Sequence, residues 1–447
     1  MRARIHRRAL GLIVVASVAA GALAPWAVDV APVARAGTST TWNYKLAPGV
    51  QLTRIRYSKG PQEVRLLTIN PSLGPRIDIA AAGSKFPMWK LTSSMSKGNG
   101  ALAGVNGDFA TPFGSQSHLT MIDGEIWTTG FTGGEGFGIT DNGRRAFSGN
   151  PKLEAALRAV TTAQTVRPFD LASWNAGNPL GRNVGVYTQR GGTAAPPPGK
   201  TSPVAGDPYW CEARLNPMKR FPPRWSNDTK TSITRRYRVS VQPEPCRRTP
   251  VPLGDNPDSV VIAGRAKWAG GRHIKELKRG DVVKLSWGFK DWPGVTDVIG
   301  GNPLLVEHKQ NVAPDYYSGA DNILWNNPRT SVGFTAGCRD QRPRTVCKVL
   351  ILTVDGRQGS EGWSKGWQLP ALAAELIKRD AVYALNLDGG GTTTMWVKNR
   401  DSAYCQSLSS VGGCLVNRPS PSYGERQTIE ALVVLPGKDS GTPVALR

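Results

Sequence analysis

The sequence predicts an α+β fold, a strand-rich mixed sheet with few helices, and three observations carry that reading. Apolar or alternating runs of four to eight residues recur between clusters of Gly, Pro and Asn, which is how strands are written. Helical periodicity is scarce. One stretch, 348–388, reads strand, helix, strand, the order that joins two parallel strands by a crossover.

The elements follow in chain order. Residues 1–36 are set apart as a secretory signal peptide: Arg2, Arg4, Arg7 and Arg8 precede an apolar run from Ala9 to Ala24, and Ala34-Arg35-Ala36 is a small-x-small cleavage site. The apolar run is shorter than the roughly 20 residues of a bilayer span, so no transmembrane segment is expected after cleavage. Strands are expected at Glu63 to Ile69, Val260 to Gly264, Val282 to Trp287, Lys348 to Val354 and Ala431 to Leu435. The clearest helix lies between Pro370 and Arg379. There Leu369, Leu372, Leu376 and Ile377 share a face, Pro370 suits a first turn, and Lys378 and Arg379 complement the dipole in the last. From about 191 to 258 the chain turns Pro-rich ("GGTAAPPPGKTSP", "VQPEPCRRTPVP"), and reads as an insertion or a surface excursion, because proline is excluded from central strands. It also holds a glycosylation sequon at Asn227-Asp228-Thr229. The domain organisation is therefore one domain over 37–447 carrying that insertion.

Export bears on the six cysteines, since an oxidising compartment turns an even number of thiols into bridges. Adjacent pairing is the simplest of the 15 possible arrangements: Cys211–Cys246, Cys338–Cys347 and Cys405–Cys414. No C-x-x-C pair exists, and His118, His273 and His308 are the histidines left after processing, so no metal or other cofactor is expected. The whole chain carries +23; the leader takes five of the 56 Lys and Arg and one of the 33 Asp and Glu, leaving +19. A charge of this size favours polyanionic partners such as an anionic wall polymer, or simply keeps the protein soluble; nucleic acid is not expected as a partner.

The chemistry concentrates where two apolar strands end in aspartate and glycine. Lys348 to Val354 runs into Asp355-Gly356-Arg357, and Val382 to Leu387 runs into Asp388 followed by Gly389, Gly390 and Gly391. If both strands lie in one sheet, Asp355 and Asp388 share the edge at which open sheets place ligands. The glycines would let backbone N–H groups approach a ligand oxygen, and Thr392, Thr393 and Thr394 would add hydroxyls. No Lys follows the last glycine and no G-x-G-x-x-G is present, so nucleotide binding is not implied. Gly362-Trp363-Ser364-Lys365-Gly366 fits the G-x-S-x-G pattern but sits within a polar loop, without the strand and helix a nucleophile elbow requires.

Five ordered stretches together resemble the phosphodiester glycosidases: "VNGDFATP" (105–112), "IGGNPLLVEHKQNV" (299–312), "NPRTSVGF" with "LILTVDGRQ" (327–334 and 350–358), "ALNLDGGGTTTMWV" (384–397) and "VNRPSPSYGERQTIEALVV" (416–434). Thr392 stands where that family more often has serine, and the Pro-rich insertion is foreign to its pattern. The resemblance implies cleavage between an anomeric carbon and oxygen, which normally uses two carboxyl groups. The motif carboxylates are Asp108, Asp355, Asp388 and Glu425, with Asp388 the first candidate and Asp108 or Glu425 its partner. Arg329 and Arg357 suit phosphate oxygens, Asn106 and Asn302 suit sugar hydroxyls, and Gly389, Gly390, Gly391, Thr392 and Thr393 line the same loop; His118 stands near a motif as a further candidate. The expected function is a secreted or cell-envelope-associated glycosidase acting on a glycosyl phosphodiester or an anionic envelope glycan. Two alternatives stay open: a metal-assisted phosphodiesterase, and a non-catalytic module that binds wall polymer.

Overall fold

The computed structural model describes residues 38–130, 134–140, 145–161, 168–176, 183–191, 194–195, 209–220, 232–247, 249–314, 325–340, 346–409 and 411–437. The signal-peptide segment and the sequon at 227–229 lie outside them. Residues 36–447 cluster as one compact unit. Among the described residues strand dominates, and the helices are short: Thr92–Gly98, Ala269–Ile274, Gly337–Asp340 and Leu369–Lys378.

The first sheet has eight strands in the order Ser39–Ala47, Val50–Tyr57, Gln62–Ile69, Val349–Val354, Arg329–Thr335, Ala381–Asn386, Leu304–Glu307 and Gln310–Asn311. Its central strand Val349–Val354 (VLILTV) is buried at every position, and apolar at all but Thr353, because both faces are covered. On one side Leu66, Leu350 and Leu352 pack against Leu369, Leu372 and Leu376 of the helix Leu369–Lys378. On the other, Leu67, Ile351 and Leu385 meet Val105, Leu432 and Ile299 from a six-stranded and a five-stranded sheet. The five-stranded sheet serves two cores by strand alternation, with Ile299 turned to the first and Val298 to a second. That second core is closed by another eight-stranded sheet containing Leu153–Thr161, Val282–Phe289, Ser232–Val241, Trp210–Pro217 and Val260–Arg265.

The crossover at 348–388 takes a form the sequence did not disclose. Val349–Val354 and Ala381–Asn386 do run the same way and share an edge, but Arg329–Thr335 lies between them, antiparallel to both. The slot was filled in advance, since Arg329–Thr335 turns directly into Val349–Val354 through a connection stapled by Cys338–Cys347. Every neighbouring pair in this sheet is antiparallel as a result.

The Pro-rich segment also differs from a surface excursion. Residues Trp210–Pro217 and Ser232–Val241 are interior strands of the second sheet, flanked on both sides. Proline is compatible with this because it only punctuates: Pro217 closes one strand, and Pro243 and Pro245 follow the other. The three disulfides pair Cys211–Cys246, Cys338–Cys347 and Cys405–Cys414 as expected. No helix among the described residues is long and apolar enough to cross a membrane.

Candidate active site

Antiparallel pairing places the end of Val349–Val354, the start of Arg329–Thr335 and the end of Ala381–Asn386 on one edge, so Asp355, Arg329 and Asp388 come together there. The six-stranded sheet abuts the same edge with Asn106 at the end of Ala103–Asn106, Glu430 at the start of Glu430–Leu435, and Thr394 just before Met395–Val397. Two bonds lock the sheets: the Asp388 N–H donates to Gly107 O at 3.0 Å, and Asn106 Nδ2 donates to Asp388 O at 2.7 Å. Asn106 Oδ1 accepts from Thr330 Oγ1 (2.7 Å) and from Thr394 N (3.2 Å), so this buried amide is a structural tie whose oxygen has no capacity left over.

Asp388 is the carboxylate best poised to act. Its side chain is 14% exposed, one oxygen accepts from Gly389 N at 2.8 Å, and Arg426 Nη2 stands 3.9 Å from the other. Burial pushes its pKa up to about 6, against the hydrogen bonds of Thr392 and Gly389 and the charge of Arg426, with Asp108 adding repulsion. The triple glycine is a site of close approach, though to protein as much as to anything else: Gly389 N holds the Asp388 carboxylate, and Gly390 N donates to Pro328 O at 2.9 Å. Gly390 has φ +62, and a Cβ there would stand 3.1 Å from Arg357 Nη2. Thr392 Oγ1 donates to Gly389 O at 2.8 Å, while Thr393 is fully buried.

Asp108 is wholly buried and faces His118. Its Oδ1 lies 2.6 Å from His118 Nδ1 and accepts from Phe109 N at 2.7 Å, and its Oδ2 accepts from His118 N at 2.9 Å. The carboxylate therefore fixes the ring, leaving Nε2 without a hydrogen bond among the described residues. Burial alone would lower the His118 pKa, but the bond to Asp108 and its charge outweigh it and hold the ring above its ordinary value. Glycine at 300 is what makes room, since a Cβ there would collide with that of His118 and stand 3.1 Å from Asp108 Oδ2. Behind the pair lies Glu430, which accepts from Asp108 N (3.3 Å) and from Gln116 Nε2 (2.8 Å). Burial, then repulsion from Asp108, pushes its pKa up to about 8.

The remaining candidates are placed as follows. Asp355 is fully enclosed, and accepts from Asn417 Nδ2 (3.1 Å), Trp363 Nε1 (2.8 Å) and Arg418 N (3.0 Å), which occupies both oxygens. Burial raises its pKa while the Arg65 charge opposes. Glu425 accepts from Ser93 N (3.2 Å) and Ser93 Oγ (2.6 Å) in the first turn of Thr92–Gly98, with burial raising its pKa. Arg329 donates to Trp367 O and Trp325 O, both at 3.0 Å, and burial followed by Arg357 lowers its pKa to about 10. Arg357 is exposed and donates to Asn327 Oδ1 at 3.1 Å. Asn302 adjoins the cis Asn302–Pro303 bond; its N–H donates to Asn386 O at 3.0 Å and its carbonyl accepts from Asn386 Nδ2 at 2.8 Å. Ser364 is buried, donating to Asp355 O, which accounts for its G-x-S-x-G pattern without a nucleophile.

Three residues at the site were not singled out from sequence. Glu430 looks like any strand residue in "TIEALVV", Gln116 like any loop residue, and Arg426 closes a motif without showing that it reaches Asp388. A different cluster, Asp78, Asp123 and Asp297, brings carboxylate oxygens within 4.8 Å of one another where the five- and six-stranded sheets meet. It contains no residue of the Asp388 site. Spacings of 45 and 174 residues hid it from the sequence.

A half-buried carboxylate with a near-neutral pKa, a carboxylate-oriented histidine and two arginines near the glycine loop are groups suited to acid–base chemistry on an anionic substrate. Residues 244–435, somewhat less than half of the chain, match the family model described as phosphodiester glycosidase. The resemblance read from the motifs is thereby borne out over that segment. No curated protein matches. Among solved structures, a hypothetical protein from Synechocystis aligns with TM-score 0.59 and 16% identity over 90% of this chain and 64% of its own, so the chain spans less than two thirds of that relative. A Burkholderia pseudomallei K96243 protein described as exported aligns with TM-score 0.57 and 17% identity, covering 89% of this chain and 97% of its own. At these identities both are similar in fold alone. The zebrafish N-acetylglucosamine-1-phosphodiester alpha-N-acetylglucosaminidase catalytic domain aligns with TM-score 0.40 and 12% identity, over 89% and 88%.

Proposed function

We propose that the protein is an exported hydrolase of glycosyl phosphodiesters, with the Asp388 edge as its active site. The single observation that carries this is a carboxyl group held near pKa 6 at a shared strand edge, between Arg426 and the Arg357-flanked glycine loop. In this reading Asp388 supplies the carboxylate, and His118, aimed by Asp108, supplies and removes the proton. Arg357 and Arg426 meet the phosphate oxygens, and because a phosphate ester leaves more readily than a sugar alkoxide, the acid need not be strong. Asn302 and Gly391 remain candidates for contacts to the sugar. Asp355, Glu425, Arg329 and Asn106 hold the surrounding loops and strands in position, since their polar atoms are already engaged. Ionised Asp388 and protonated His118 coexist between their two pKa values, so activity follows a bell whose acid limb falls near pH 6.

Three disulfides and the leader-like residues 1–36 support export, and the family match supports a glycosyl-phosphate substrate. The test is reducing-sugar release from a panel of anionic and neutral glycans, comparing the wild type with Asp388→Asn and adding chelator to a parallel set. Turnover that survives chelator and falls by at least about 100-fold in the variant supports the reading, the scale expected when a group acting on the reacting atoms is lost. Undiminished turnover in Asp388→Asn refutes it, and loss of turnover with chelator favours the metal-assisted phosphodiesterase.

A further inference from the structure

The second eight-stranded sheet keeps one face for its core; on the other, Tyr187, Val261 and Ala263 pack under Val251 and Leu253, while the part formed by Leu153–Thr161, Val282–Phe289 and Ser232–Val241 is turned outward and carries an ordered row of cations. Leu157, Leu285 and Tyr237 face the core, while their neighbours Arg158, Lys284 and Arg236 point the other way. The register aligns these three: Arg158 is opposite Lys284, and Lys284 is opposite Arg236. Arg238 follows two residues further along its strand, on the same face, and pairs with Asn216. Arg158, Arg236 and Arg238 are exposed and Lys284 is half-buried.

Like charges directly opposite one another destabilise a sheet, so such a row needs a compensating anion. None is supplied among the described residues, for none of Arg158, Lys284 and Arg236 makes an ion pair with another of them. The acids on this face stand aside. Asp170 ends the next row, Asp170–Ala156–Ser286–Thr234, and Glu154 stands in the row beyond. With strands about 4.8 Å apart, the three cations span roughly 10 Å in a line. Beside them the floor is small and hydroxylated, with Thr234 Oγ1 and Ser286 Oγ 2.9 Å apart.

This layout favours one class of partner. Guanidinium groups grip phosphate oxygens bidentately, and a line of cations matches anions repeated along a chain. Single-stranded nucleic acid would call for aromatic platforms on which bases stack, and the aromatic side chains of these three strands are buried in the core. We propose that this face is a docking surface for a linear phosphodiester-linked polyol or sugar polymer, held by Arg158, Lys284, Arg236 and Arg238. The surface shares no residue with the Asp388 site, so binding is tested independently of turnover.

The experiment uses the full chain with Arg158, Lys284 and Arg236 all changed to Gln, and purified polyglycerol phosphate as the probe, with affinity measured across a salt series. The wild type binds with log affinity falling steeply against log salt. Each lost contact should flatten that slope by roughly 0.7–0.9, so the triple variant loses about 2–3 from the slope and at least about tenfold in affinity at low salt. Relief of the like-charge row leaves the melting temperature unchanged or higher, which separates lost binding from lost folding. A control replacing exposed Lys97, Lys398 and Arg400 by Gln removes the same charge elsewhere and should bind as the wild type does. The proposal is overturned if the row variant binds undiminished, if the control loses as much affinity, or if a single-stranded oligonucleotide or anionic phospholipid vesicles depend on the row while polyglycerol phosphate does not.

Discussion

Replacing Glu430 by Gln isolates a fully buried acid beside the candidate site. Glu430 is fully buried and its pKa is raised from 4.5 to about 8, so the folded state keeps a proton that the unfolded chain gives up. The sign follows from linkage: stability contributed by a raised pKa is complete below about pH 4.5 and is lost as pH rises towards 8. At about 1.36 kcal/mol per pH unit over that window, the loss amounts to roughly 4–5 kcal/mol, an upper figure because Asp108 shares in the titration. Gln mimics the protonated acid without titrating. Its carbonyl can still accept from Asp108 N, and its amide finds the buried Gln116 Oε1, which has no other partner, once the Gln116 amide turns over. Guanidinium unfolding at pH 5 and pH 8 should therefore show the wild type losing several kcal/mol more than Glu430→Gln between the two. Equal losses would refute the assignment of a neutral, buried Glu430.

Two further substitutions separate scaffolding from chemistry. Gly390→Ala places a side chain at φ +62 and 3.1 Å from Arg357 Nη2; it should cost about 1 kcal/mol of stability and at least tenfold in kcat/KM, measured by unfolding and by sugar release. Asp355→Ala strips partners from Trp363, Asn417 and Arg418 and leaves buried Arg65 with one anion fewer, so guanidinium unfolding should show a loss of roughly 3–5 kcal/mol, and a loss below 1 kcal/mol would contradict its structural role.

Much of the Asp388 site was legible because its signals are local. An apolar run that stops at Asp-Gly marks a strand end wherever the strand lies, and Asp355 and Asp388 do share an edge. Short spacings likewise made the pairs Cys338–Cys347 and Cys405–Cys414 readable. What stayed hidden depends on tertiary contacts. Nothing near 348–388 reveals that Arg329–Thr335 occupies the slot between its two strands. Asp108 and Asp355 look alike in sequence, each an acid beside a glycine, and only the fold gives one a histidine and the other a ring of hydrogen-bond donors. In the Pro-rich segment, proline density outweighed the alternation of "SITRRYRVSV", which is a half-buried strand pattern in plain view.

The most direct test of the central claim is hydrolysis of a synthetic glycosyl phosphodiester in water labelled with heavy oxygen, followed by mass analysis of both products. Cleavage between the anomeric carbon and oxygen puts the label on the released sugar and leaves the phosphate monoester unlabelled, as the Asp388 site predicts. Label in the phosphate would mean attack at phosphorus, and would contradict the assignment of a glycosidase.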